Sequence, residues 1–142
     1  MSENQESFHA QDAPKPMGQY PHARKVGDLL FLSGVGPRDP KTNIVPGNTY
    51  DHQGEVASYD IEQQCHAVFK NVRQILEQCG ASWEQLVDVT VFLTDMKNDF
   101  PTYNRIYASY FPENPPCRTT VGITALPSAI AIELKCIANV ES

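Results

Sequence analysis

The sequence predicts an α+β fold, one mixed β-sheet with two helices on one of its faces. Three patterns carry that expectation. Apolar residues recur at helical spacing in two separate stretches, Ile61 to Cys79 and Phe100 to Phe111. Alternating apolar and polar residues flank both stretches, as strands with one buried face require. The resulting order is strand, strand, long loop, helix, strand, helix, strand, strand. Packing both helices on one side of a single sheet is its simplest arrangement.

The 142 residues suit one domain with a sizeable core, and 41% hydrophobic with 20% charged residues is an ordinary globular balance. A formal net charge of −6 argues against nucleic acid as the main partner, because phosphate binding needs a basic face. No run approaches the roughly 18 apolar residues of a membrane span. The polar start Met1-Ser2-Glu3-Asn4 lacks a secretory signal, so a cytoplasmic protein without membrane contacts is expected. Cys65, Cys79, Cys117 and Cys136 lie far apart and read as reduced core thiols. Together with the 4 histidines they lack zinc-ligand spacing, and no metal is expected.

Along the chain, residues 1–12 are polar and read as a flexible tail, leaving 13–142 as the domain. Pro14, Pro16 and Pro21 forbid helix in the approach to the first strand. His22 to Val26 and Leu29 to Ser33 flank Gly27-Asp28, a two-residue turn that sets Val26 opposite Leu29 and His22 opposite Ser33. Gly34 to Pro40 is a tight loop, and the turn-rich residues 39–58 form a long surface excursion of the kind used as lids or interfaces. Asp60 with Gln63 starts the first helix and Gly80 stops it. His66, beside the apolar stripe, reads as a partly exposed helix residue.

Ser82 to Leu86 is a short helical turn, and Val87, Val89, Val91 and Leu93 form the apolar side of a long strand. Asn98 or Asp99 is the expected cap of the second helix, with Pro101 in its first turn. Phe100, Tyr103, Ile106, Tyr107, Tyr110 and Phe111 are its core-facing stripe. The segments Pro115 to Ala125 and Ile130 to Cys136, broken at Leu126-Pro127-Ser128, read as two antiparallel strands. Arg118 and Glu133 stand out there. Charged residues in apolar strands are rarely buried unless paired or used. They are the candidates for a small-molecule site, the alternative being an ion pair with each other.

Several segments, in order and spacing, resemble the RidA/YjgF family of reactive intermediate deaminases over about residues 13–139. They are Gly18 through Ala23, Leu30 through Gly34, Gln64 through Gly80, Val87 through Leu93, Asp99-Phe100 with Asn104, and Arg118 through Glu133. The resemblance implies a chorismate-mutase-like fold assembled as a homotrimer, with sites between subunits and a small-molecule carboxylate as substrate. It implies that Arg118 holds that carboxylate and that Glu133 positions water. Tyr20, Ser33 and Asn104 follow as wall and hydrogen-bonding residues. Thr120 stands where many members carry a cysteine; its hydroxyl can still bond a ligand or water. Cys117 has the opposite strand parity and does not replace that thiol.

The family reaction hydrolyses an enamine or imine to a carbonyl compound and ammonia, and needs no metal or organic cofactor. The block Tyr20 to Gly27, with Leu32 to Arg38, resembles the 2-aminomuconate deaminase branch, which acts in the degradation of aromatic compounds. A diacid of that kind needs a second cation, for which Arg38, Arg24, Lys25 and His22 are candidates and Arg38 the foremost, although it can equally be a solvated loop residue. Two other functions fit the same resemblance: a general deaminase of 2-aminoacrylate-type intermediates, and a ligand-sensing or protein-binding homologue without catalysis.

Overall fold

The computed structural model describes residues 5–141. Its elements in chain order are β1 (Gln5–Phe8), β2 (Ala23–Val26), β3 (Leu29–Leu32), β4 (Thr49–Tyr50), β5 (Val56–Ser58), α1 (Ile61–Gln78), β6 (Leu86–Leu93), α2 (Met96–Tyr110), β7 (Cys117–Gly122) and β8 (Ile132–Asn139). Six strands form one sheet in the order β1-β2-β3-β8-β6-β7, and β4 pairs with β5 in a separate exposed hairpin. The sheet is mixed because β7 runs parallel to β6 while the other pairs are antiparallel. Val89, Val91 and Leu93 of β6 pair in register with Cys136, Leu134 and Ile132 of β8, and all six are fully or almost fully buried. They make the face on which both helices pack, as the sequence predicts.

Gly27 adopts φ 60° in the two-residue turn, where Val26 pairs with Leu29. His22 falls opposite Ser33, whose N–H donates to the His22 carbonyl at 3.0 Å. Asp60 caps α1 by accepting the Glu62 and Gln63 N–H groups. At the other end Gly80 takes φ 75°, its N–H reaches Glu77 O, and the Ala81 N–H reaches Leu76 O at 2.8 Å. That pair of bonds is a Schellman stop. His66 is exposed and bonds the Tyr110 hydroxyl at 2.6 Å.

Five expectations are corrected. Gln5–Phe8, assigned to the tail, forms β1 because β2 would otherwise be a bare edge; residues 1–4 lie outside the described residues. The cap of α2 is Asp95, which accepts the Asn98 N–H at 3.2 Å, so Pro101 sits inside the helix rather than in its first turn. Asp99 is instead buried and accepts from the Tyr59 hydroxyl at 2.6 Å. Val87 is exposed, because a bulge between Leu86 and Asp88 gives the inward position to Leu86. Cys117 is exposed on an edge strand, unlike the buried Cys65 and Cys136.

The largest correction concerns the last two strands, which are not neighbours. β6 lies between them, and residues 123–131 cross its end. The apolar alternation of β8 suits a central strand, whereas β7, preceded by Pro115-Pro116 and rich in threonine, suits an edge. No helix among the described residues is long and apolar enough to cross a membrane.

Candidate functional site

The position of β6 settles how Arg118 and Glu133 relate. Arg118 pairs with Val89, and Glu133 pairs with Phe92. Strand side chains alternate, so residues three apart point to opposite faces. Arg118 therefore lies on the helix-covered face and Glu133 on the open one. They form no ion pair with each other. Each belongs to its own cluster.

The first cluster is built on α2 and the sheet edge. The Arg118 guanidinium stacks over the rings of Tyr107 and Tyr103, with Cζ 4.8 and 5.4 Å from their centroids. Its Nη1 donates to Asn104 Oδ1 at 2.9 Å. A flat cation between aromatic faces and a neutral amide is oriented without being neutralised, which leaves its charge for an anion. Thr120, two residues on along the same strand face, shares a hydrogen bond of 3.1 Å with the Tyr103 hydroxyl. Desolvation raises the Tyr103 and Tyr107 pKa values, so both rings stay neutral beneath the guanidinium. Among the described residues, the Tyr107 hydroxyl is the buried side-chain polar atom without a partner.

The second cluster surrounds Glu133. A cavity of about 60 Å³ is lined by Tyr20, Gly34, Gly36, Arg38, Ile130 and Glu133, among others. Burial pushes the Glu133 carboxyl above its usual range. Ser33 and Arg38 share with Tyr20 a smaller adjoining cavity of about 50 Å³. The Ser33 hydroxyl donates to the Pro21 carbonyl at 2.7 Å, and the Tyr20 hydroxyl accepts from the Met17 N–H at 3.1 Å. Arg38 donates to Asn43 Oδ1 and to the Lys15 carbonyl, so it is held at the cavity wall rather than free in solvent.

The other candidates for a second cation are placed elsewhere. His22 accepts the Ala10 N–H at Nδ1 (2.8 Å), so its Nε2 carries the proton and donates to the Pro14 carbonyl at 2.7 Å. That tautomer is neutral. Arg24 bonds Gln5 at the far edge of the sheet, and neither it nor Lys25 lines either cavity.

Of the residues singled out from sequence, Arg118, Thr120 and Asn104 come together in one cluster, and Glu133, Tyr20, Ser33 and Arg38 in the other. Sequence reasoning missed the platform of Tyr103 and Tyr107, which it read only as core. Their four-residue spacing around Asn104 was the available signal. It also missed Gly34 and Ile130 as walls of the Glu133 cavity.

Comparison with known proteins places the chain as a whole. The family model described as Endoribonuclease L-PSP matches residues 10–140. A RutC family protein of Pyrococcus horikoshii is 40% identical over 136 residues, covering 96% of this chain and 98% of that protein. The chloroplastic Reactive Intermediate Deaminase A of Arabidopsis thaliana is 38% identical over 97% of this chain and 67% of its own length. Among solved structures, the YjgF gene product of E. coli superposes with a TM-score of 0.81 at 30% identity, covering 94% of this chain and 98% of that one. Matched over nearly its whole length in sequence and in fold, the chain belongs to the RidA/YjgF family, the family of the Endoribonuclease L-PSP model.

Proposed function

We propose that this protein is a deaminase of unsaturated 2-imino acids, with 2-aminomuconate as its substrate in the breakdown of aromatic compounds. The observation that carries the reading is the desolvated Glu133 carboxylate in a cavity it shares with Tyr20 and Arg38. The name of the Arabidopsis relative, Reactive Intermediate Deaminase A, supports the reaction class. The ribonuclease activity in the family model's description is disfavoured by the net charge of −6.

The reaction runs in three steps. The enamine takes a proton on carbon and becomes the imine. Water then adds at the imine carbon, and the carbinolamine expels ammonia to leave 4-oxalocrotonate, the oxo tautomer of 2-hydroxymuconate. Arg118 clamps the carboxylate beside the reacting carbon through two charge-assisted hydrogen bonds. Glu133 orients the water, accepts its proton and returns a proton to the departing amine. Arg38 meets the distal carboxylate, with Tyr20 and Ser33 as walls. No cofactor takes part in these steps.

Because Arg118 and Glu133 face opposite sides of one sheet, a working site joins the Arg118 cluster of one copy to the Glu133 cluster of another. A homotrimer in the cytoplasm, closed around the open sheet face, provides that arrangement. Phe31, Phe92 and Ile137, half-buried beside Glu133's strand neighbours on that face, are suited to contact between copies.

The test is ammonia release from freshly generated 2-aminomuconate beside 2-aminoacrylate. Fast turnover of the diacid, lost selectively in Arg38→Ala, is the expected result. Preference for the small imine would make the protein a general reactive-imine deaminase, and no turnover of either would favour a ligand-sensing role.

A further inference from the structure

Helix α1 carries two carboxamides on its core-facing side, Gln64 and Asn71, which are 0% and 3% exposed. They lie seven residues apart, two helical turns, and so on one face among Cys65, Val68, Phe69 and Val72. A buried amide in such surroundings is costly unless every polar atom is bonded. The destinations of these bonds are informative. Asn71 Nδ2 donates to the carbonyls of Gly36 (2.9 Å) and Arg38 (2.8 Å). Gln64 Oε1 accepts the Ala131 N–H at 2.8 Å, and Gln64 Nε2 donates to Asn48 Oδ1 at 3.0 Å. Asn48 Nδ2 in turn donates to the Ala129 carbonyl at 2.8 Å.

The two amides therefore grip the two segments that wall the Glu133 cavity. Asn71 fixes the loop that carries Arg38. Gln64, relayed through Asn48, holds the backbone on both sides of Ile130. Across the gap, Ile130 already meets Gly36, where an added Cβ would lie 3.0 Å from Ile130 Cδ1. We infer that Gln64 and Asn71 are positioning residues that set the width of this cavity from one rigid helix, and that Asn71, through Arg38, sets which length of dicarboxylate fits. The inference rests on the site reading given under Proposed function. It assigns a substrate-length role to residues that touch no substrate.

The two amides hold different walls, so their variants have different signatures. Calorimetric titration with 2-oxoadipate, a six-carbon oxo diacid, and with pyruvate needs no turnover. Asn71→Leu keeps the branching and heavy-atom count of the side chain and removes both donors; it is expected to weaken 2-oxoadipate about tenfold while pyruvate stays within about twofold. Gln64→Leu frees Ile130 and weakens both acids alike. Asn48→Ala, outside the core, does the same more mildly. Should Asn71→Leu not fold, Asn71→Ser keeps a hydroxyl too short for both carbonyls and should shift the same ratio by less. Equal weakening of both acids by the Asn71 variants, or no weakening, overturns the inference while leaving the site reading intact. Wild-type protein that binds neither acid overturns the site reading and the inference with it.

Discussion

Glu133 packs directly against Gly34: a Cβ at position 34 would lie 2.6 Å from Glu133 Oε2, so any side chain there must push the carboxylate aside. The carboxylate rests against bare backbone, half removed from water, and its pKa is raised by that desolvation. To accept a proton from water Glu133 must be ionised. Activity should therefore fall on the acidic side through a pKa above the ordinary carboxylate range. Glu133→Gln should lose turnover together with that acidic limb. Gly34→Ala should reduce kcat about a hundredfold by displacing the carboxylate. Initial rates measured from acidic to neutral pH check this.

The same shift has a consequence for stability. A carboxyl whose folded pKa is raised opposes folding where it is ionised, and that opposition fades as pH falls through the folded pKa. Glu133→Gln should melt higher than wild type near neutral pH. The difference should shrink as the pH is lowered, which a pair of thermal melts would show.

Arg118 owes its orientation to the faces of Tyr103 and Tyr107 and to Asn104. Arg118→Ala should cost about 2–4 kcal/mol of transition-state stabilisation in kcat/KM. Arg118→Lys should recover little of it, because an ammonium neither stacks as a plane nor forms a fork. A loss below tenfold in the alanine variant would contradict the clamp.

Tyr107 contributes its ring and leaves its hydroxyl buried without a partner. Tyr107→Phe keeps the platform and removes a desolvated polar group, so it should stabilise the fold by about 1 kcal/mol. Denaturant midpoints measure that gain.

Much of this architecture was legible in local chemistry. Gly27-Asp28 specified the register of β2 and β3, and with it the pairing of His22 with Ser33. Asp60 and Gly80 marked the ends of α1. What local chemistry could not specify was non-local. Nothing in Cys117–Gly122 or Ile132–Asn139 states that β6 lies between them, and that insertion decides which face each charged residue takes. The cap of α2 was misplaced because Asp95, Asn98 and Asp99 are all competent caps, and burial of Asp99 against Tyr59 becomes visible only once the β4–β5 hairpin is in place. For the site, Arg118 and Glu133 drew attention as charges in apolar strands, whereas the tyrosines under Arg118 are ordinary core residues until a guanidinium is laid across them.

If the Arg118 and Glu133 clusters work only across a subunit boundary, mixing two variants of the chain will restore activity. Arg118→Ala and Glu133→Gln, each strongly impaired alone, are co-expressed in equal amounts and assayed for ammonia release from the imine. In a cyclic trimer, random assembly should give about one site in four with both residues intact, and so about a quarter of wild-type activity. A mixture no more active than the parents would place both residues in one chain's site.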